Sequence, residues 1–348
     1  MDPIRTAILS YGMSGKLFHA PFLYVHPGFE LYGVWERTKN VASNDYPDIK
    51  TFRSLEALLS DSSIELVIVN TPNITHYEFT KMALLADKHV IVEKPFTVNS
   101  NEAEQLINLA KQKKKLLSVY HNRRFDSDFK TIRKVINEGF LGDINEAEFH
   151  YDRFRNELSP KLHKEVPVKG TGALYDLGSH LVDQALQLFG FPQAVFADIR
   201  MIRTNSQVDD YFELLLYYMD KRVRLKSNYL VREALPGYSI HGSKGSFIKQ
   251  RTDVQEQALQ QGILPGSPGW GVEPLADSGL LHTEINGKIV REQLTSQTGN
   301  YMEYYDIIYE ALRMNKDVPV PPEDGLNVIK IIEAAFKSNT TGAVVPLV

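Results

Sequence analysis

Five short runs, residues 6–9, 30–35, 66–70, 90–92 and 116–120, are dominated by apolar side chains, and the stretches between them carry apolar residues at helical spacing. A strand that is apolar on both faces needs cover on both. Parallel sheets provide it, because the crossover helices joining their strands pack on either side. The first third of the chain is therefore expected to be a parallel α/β sheet whose ligand lies beyond the C-terminal strand ends. Polar residues gather at those ends: residues 10–15, Glu36, Asn70-Thr71-Pro72-Asn73 with His76, Glu93-Lys94-Pro95 and His121-Asn122-Arg123-Arg124. Each taken singly is ordinary turn chemistry; on one rim they argue for a site.

The first strand end, Ser10-Tyr11-Gly12-Met13-Ser14-Gly15, leads into a helix from about residue 16. Strand, glycine turn and helix in that order is the setting of a dinucleotide-binding turn, in which the backbone closes on a pyrophosphate at a helix N-terminus. Ser10 stands where the usual pattern has its first glycine, so the turn by itself describes an ordinary strand-to-helix connection equally well. Glu36 lies about 20 residues further on, where a carboxylate accepts ribose hydroxyls. Arg37, Thr38 and Lys39 follow it and suit a 2′-phosphate or an adenine ring.

After Arg124 the pattern changes. A helix over 129–138 and a long strand over 144–154 precede a polar segment, 155–169. Residues 194–203, 210–219, 222–231, 238–241 and 246–249 then read as strands joined by short turns, the mark of a mostly antiparallel sheet. Residues 264–277 read as a Pro- and Gly-rich loop, and the tail as two helices, 301–314 and 323–338. The chain thus divides into 1–122 and 123–348. Residues 211–219 are apolar at nearly every position, so a second face of that strand calls for cover from another subunit. Between 174 and 189 apolar residues recur at helical spacing, which puts Asp176 and His180, four apart, on one side of a helix. Such a pair moves protons at neutral pH, or is simply a satisfied polar pair.

A formal net charge of -4 leaves no basic excess for nucleic acid or an anionic membrane. With no cysteine there is no disulfide, thiolate or cysteine-zinc chemistry. The first residues have neither the basic start nor the apolar core of a signal peptide, and a cytoplasmic setting is expected. A metal held by Asp176, His180 and His163 would match no strong ligand spacing, and none is expected.

Taken together, these motifs resemble the Gfo/Idh/MocA family of nicotinamide-dependent oxidoreductases. The likeness rests on Gly12 to Gly15 with Phe18-His19-Ala20-Pro21, on Asn70 to Asn73 with His76, on Glu93-Lys94-Pro95-Phe96, on Asn122-Arg123-Arg124-Phe125-Asp126, and on Gly172 through His180. Asp152-Arg153-Phe154-Arg155 and the stretch from His241 to Phe247 resemble the group containing NADP-dependent scyllo-inositol dehydrogenases. The resemblance implies a Rossmann domain followed by an α/β domain with a large, mostly antiparallel open sheet that builds a homodimer or homotetramer. It implies that Lys94, Asp176 and His180 form the catalytic group, and that Ser10, Gly12, Met13, Ser14, Gly15, Glu36, Arg37, Asn70, Thr71, Pro72, Asn73, His76, Glu93, Lys94 and Asn122 hold the coenzyme. Tyr120 and Arg123 are further candidates for the nicotinamide side, and Tyr151 and Arg153, with Asp176 and His180, for the substrate. The implied reaction is hydride transfer between NAD(P)(H) and a secondary alcohol of a sugar or cyclic polyol. His180 would serve as base, Asp176 would bind hydroxyls, and Lys94 would stabilise developing charge on oxygen. Glu36 favours NAD while Arg37 and Lys39 suit NADP, leaving the coenzyme open. A glycosidase of this fold that uses bound NAD, and a non-catalytic coenzyme- and sugar-binding regulator, are the alternatives.

Overall fold

In a computed structural model that describes residues 2–161 and 164–347, the chain forms two units. The first comprises Met1–Asn122, Val254–Trp270 and Asn300–Leu326. Its strands β1 (Ile4–Ile8), β2 (Phe29–Trp35), β3 (Lys50–Phe52), β4 (Leu66–Val69), β5 (His89–Glu93) and β6 (Leu117–Tyr120) are all parallel, in the order β3-β2-β1-β4-β5-β6. Every residue of β4 and β6 is buried, as their unbroken apolar runs require. Helices Ala20–Val25, Val41–Asp45, Leu55–Leu59, His76–Leu85 and Ser100–Lys113 lie in the five connections between them. The strand order reverses between β1 and β4, so the loops after these two strands bound the crevice of the sheet. β3 and the helix Val41–Asp45 were not expected, being too short to carry a period.

This unit also differs from a block ending at residue 122, because the chain returns to it twice. Helix Met302–Met314 supplies the reason. Tyr301, Tyr304 and Tyr305 are wholly buried. The Tyr304 hydroxyl meets Ser118 Oγ at 2.8 Å, Tyr305 donates to Phe18 O at 3.1 Å, and the Tyr305 ring stacks on Phe22 with centroids 5.5 Å apart. The helix completes the apolar cover of β1 and β6, and large aromatic surfaces of this kind dominate core energetics.

The second unit comprises Arg123–Asp253, Gly271–Gly299 and Asn327–Val348. Its strands are β7 (Ile144–His150), β8 (Ala194–Arg200), β9 (Tyr211–Tyr217), β10 (Arg222–Asn228), β11 (Tyr238–Gly242), β12 (Gly245–Lys249), β13 (Gly279–Ile285), β14 (Lys288–Leu294) and β15 (Val345–Pro346), in the order β14-β13-β12-β11-β7-β10-β9-β8-β15. Only the β7–β10 pair is parallel. One face of this sheet is covered: Phe149, Phe212, Leu214, Val223, Tyr238 and Phe247 pack in one core with Leu181, Val182 and Ile332. Three sequence expectations are corrected here. The strand expected to reach residue 154 ends at His150, although Tyr151 N and Arg153 N still donate to Lys226 O and Asn228 O at 2.9 and 3.0 Å. The β13–β14 hairpin was missed; Asn286 and Gly287, both at positive φ, make its two-residue turn. The second face of β9 is not apolar throughout, because Glu213 lies on it and pairs with Arg224 at 3.0 Å, beside Glu148 and Lys226.

The segment from residue 174 begins with a π-helical turn, Leu174–Gly178, and continues as α-helix Ser179–Phe189. It is held to the preceding helix, Ser127–Asn137, by the residues that enter that helix: Arg124 Nε and Nη2 donate to the two oxygens of Asp183 at 2.8 and 2.5 Å, both side chains buried. Among the described residues no helix is long and apolar enough to cross a membrane. Removing Asp183 leaves a buried guanidinium without its bidentate partner, which costs on the order of 3–5 kcal/mol. Asp183→Ala should lower the urea midpoint accordingly, while an exposed substitution such as Lys134→Ala should shift it by under about 0.5 kcal/mol.

Candidate active site

In the first unit the loops after β1, β4 and β5 converge. Residues 10–14 lead into a π-helical turn, Gly15–His19, and then helix Ala20–Val25. Ser10 Oγ accepts from Gly12 N at 3.2 Å, so serine closes the turn in place of the missing glycine. Gly15 is obligatory: a Cβ there would lie 2.0 Å from Ser10 O and 2.8 Å from Asn70 Nδ2. Asn70, just past β4, donates through Nδ2 to Ser10 O at 2.7 Å, while its buried Oδ1 has no protein partner. Met13 is half exposed at the tip.

Glu93 ends β5 and binds the turn from the other side. Its Oε1 accepts from Ser14 Oγ at 2.5 Å and His19 Nε2 at 3.0 Å, and Oε2 accepts from Lys94 N at 3.1 Å. Burial raises its pKa, but the His19 and Ser14 hydrogen bonds and the nearby Lys94 charge prevail and bring it down to about 2. His19 Nδ1 in turn meets the Tyr305 hydroxyl at 2.7 Å. The Phe18-His19-Ala20-Pro21 motif was noticed in the sequence without a role for His19. His76 is a brace: its ring nitrogens sit 2.8 Å from Pro95 O and 2.9 Å from Thr71 O, and burial pushes its pKa down against those two carbonyls. It fixes the Thr71-Pro72-Asn73 end of β4 against the Lys94–Pro95 bond, which is cis. Tyr120 is buried with its hydroxyl on Phe18 O at 2.9 Å, a packing position under the turn. Asn122 opens the short turn Asn122–Phe125 and is buried.

Glu36 is not presented to an open crevice. Its carboxylate accepts from Val41 N and Ala42 N at 3.0 and 3.1 Å, capping helix Val41–Asp45. Arg53 clasps the same loop through Glu36 O at 2.9 Å, Lys39 O at 2.6 Å and Asn40 Oδ1. Arg37, Thr38 and Lys39 are exposed on its outer side. Neither the cap nor Arg53 was anticipated from sequence.

In the second unit Asp176 sits in the π-helical turn and His180 one turn further on, in the α-helix. His180 is buried and Asp176 partly exposed. Lys164 Nζ lies 3.2 Å from Asp176 Oδ2, a partner the sequence did not single out. Arg153 stacks over the Tyr151 ring at 5.0 Å; burial would lower its pKa, but Tyr151, Tyr229 and Asp176 hold it up. Burial, and next Asp176, push Tyr229 up to about 12. Tyr151, Arg153, Tyr229, Lys164 and Asp176 thus share one electrostatic neighbourhood. Arg123 is committed to Asp126 at 3.4 Å and to Asp253, both in its own unit. His163 lies outside the described residues; among those described no three His, Asp or Glu side chains are grouped to hold a metal.

This geometry suits a nicotinamide dinucleotide in the first unit: a glycine-tight turn opening a helix, an unpartnered buried Asn70 oxygen at the switch point, and Lys94 at the next strand end. Comparison with known proteins points the same way. An oxidoreductase-family model for an NAD-binding Rossmann fold matches residues 4–121, and one for the C-terminal α/β domain of that family matches residues 133–347. The chain is 42% identical over 339 residues to the scyllo-inositol 2-dehydrogenase (NADP(+)) IolW of Bacillus subtilis, covering 97% of this chain and 94% of that one. It is 38% identical to the uncharacterized oxidoreductase YdgJ of Escherichia coli K12, over 97% and 96% of the two chains. A crystal structure of an oxidoreductase from Bacillus cereus matches with a TM-score of 0.92 at 34% identity, covering 99% of both chains.

A carboxylate held down to about 2 stabilises the fold above the unfolded value near 4.5, and that stabilisation fades as pH falls toward 2. For Glu93 it amounts to about 3 kcal/mol. The difference in unfolding free energy between the parent and Glu93→Gln should therefore be largest at neutral pH and shrink on acidification. Urea titrations at neutral pH and at about pH 3 check this.

Proposed function

The chain belongs to the Gfo/Idh/MocA oxidoreductase family, and from that premise we propose that it is an NADP-preferring dehydrogenase of a cyclic polyol or sugar of the inositol class. The observation that carries the reading is the nearly end-to-end likeness to an NADP-dependent scyllo-inositol dehydrogenase in a chain that retains Lys94, Asp176 and His180. When bound, the coenzyme accepts or gives the hydride. The protein binds, orients and moves the proton. In the oxidation direction the His180 imidazole takes the hydroxyl proton as the carbon loses its hydride, and it returns that proton in reduction. Lys94 Nζ donates to the same oxygen, where negative charge develops. Asp176, with Lys164 against one oxygen, accepts from a neighbouring hydroxyl and fixes the ring. Tyr151 and Arg153 read further hydroxyls.

The engagement of Glu36 supports the NADP preference. A carboxylate already accepting from two backbone amides is a poor acceptor for ribose hydroxyls, and the outward residues of the same loop are Arg37 and Lys39. Ser10, Gly12, Met13, Ser14, Gly15, Asn70 and Lys94 would line the coenzyme, with Thr71, Pro72, Asn73, His76 and Glu93 shaping the wall. We further propose a homodimer or homotetramer formed through the open face of β8–β10, where Phe196, Leu215 and Tyr217 alternate with the charged cluster around Glu213. Sedimentation at micromolar concentration should give a dimer or larger species; a monomer would overturn this part.

Two measurements test the catalytic reading. NAD and NADP, each offered scyllo-, myo- and chiro-inositol and common aldoses, should give turnover by nicotinamide absorbance with NADP ahead. His180→Ala should then lower kcat by roughly 10²–10⁴ while coenzyme Kd stays within about twofold. Arg37→Ala should weaken NADPH about tenfold or more and leave NADH nearly unchanged, because only the phosphorylated ribose needs the guanidinium. Equal losses for both coenzymes would remove Arg37 from phosphate recognition.

A further inference from the structure

The helix carrying Asp176 and His180 does not begin on its own. Gly172, at φ +96°, Ala173 and Leu174 form its entry, and all three are held by one residue of another element. Asp209, immediately before Asp210 and β9, accepts from Leu174 N through Oδ2 at 2.7 Å and from Ala173 N through its own carbonyl at 2.7 Å. A Cβ on Gly172 would fall 1.9 Å from Asp209 Oδ1, so glycine is what lets the carboxylate lie against the turn. Gly172 O accepts from Asp176 N at 3.0 Å. The chain of contacts therefore runs from Asp209 through two backbone amides and Gly172 to Asp176 itself.

We propose that Asp209 is a positioning residue that sets the placement of Asp176 by docking the first turn of its helix. The proposal rests on the dehydrogenase reading for its kinetic consequence only. Asp209 borders a cleft of about 590 Å³ with Lys169, Tyr175, Arg200, Val208 and Phe336. The charged groups facing it are few. Lys169 is paired with Glu333 at 3.2 Å, Arg200 lines the same cleft, and Asp210 is turned to Arg203 at 2.7 Å while adding a like charge. Burial, helped by Asp210 and opposed by the Leu174 and Ala173 amides, pushes Asp209 up to about 6. A carboxyl raised in the native state binds its proton more tightly folded than unfolded, so its ionisation opposes folding as pH rises through that value. The ionised form is nonetheless the better acceptor for Leu174 N. Asp209 is thus a group whose charge serves the site and not the stability of the fold.

Asp209→Asn separates the two. At pH 7.5 its urea midpoint should equal or exceed that of the parent. Amide exchange in the peptide spanning residues 172–178 should be several-fold faster than in the parent, and the polyol KM should rise about tenfold while coenzyme Kd is unchanged. Protection that is insensitive to the substitution overturns the proposal, whether or not any polyol is turned over. If protection changes as expected but no substrate is found, the dehydrogenase reading fails and the docking role stands.

Discussion

A single buried carboxylate organises the first unit. Glu93 gathers Ser14 and His19 from the turn after β1, and the backbone of Lys94 from its own strand end. Without it the strand-end loops of β1 and β5 would lose the side chain that joins them directly. Taking such a group out of water is unfavourable unless its lone pairs are satisfied, and here they are. The arrangement extends outward through His19 to Tyr305, and on the adjoining side through Asn70 to Ser10. The strand-end turn and the core are built from the same hydrogen bonds, so substitutions at this carboxylate register in stability.

The two units share a local device. Each has candidate site residues at the start of a helix, and each of those helices begins with a π-helical turn, Gly15–His19 in one and Leu174–Gly178 in the other. The wider turn rotates the residues that follow relative to those that precede it, and such turns are frequent at functional sites. In both cases glycine allows another element to approach the helix start: Gly15 admits Ser10 O and Asn70, and Gly172 admits Asp209. Each helix start is tied to another element by a side chain, Asn70 to Ser10 O in one and Asp209 to Leu174 N in the other.

Much of this was legible in the residues. Apolar runs without alternation identified the parallel sheet, and short turns between extended runs identified the antiparallel one. Helices Leu55–Leu59 and Ser100–Lys113 lie where apolar residues recur at helical spacing between the strands. The misses have particular causes. Asn286-Gly287 is a hairpin signal that was present, but the exposed, charge-rich β14 hides the strand beside it. The charged face of β9 escaped notice because Tyr, Leu and Phe surround a lone Glu213 in sequence. That Glu36 would be spent on two backbone amides could not be read from its position after β2, since the short helix it caps has no periodic pattern. The return of the tail to the first unit is a long-range packing event, and no local spacing announces it.

That return has a consequence for how the chain is made. The six strands of the first sheet are complete once residue 120 has left the ribosome. The tyrosines that close over Phe18, Phe22 and Tyr120 lie some 180 residues further along, beyond most of the second unit. During synthesis the nascent N-terminal portion must carry an uncovered aromatic surface for as long as those residues take to emerge, on the order of 10–40 s at usual elongation rates. The architecture thus makes completion of the coenzyme-binding portion a late event, coupled to the arrival of the C-terminal helices.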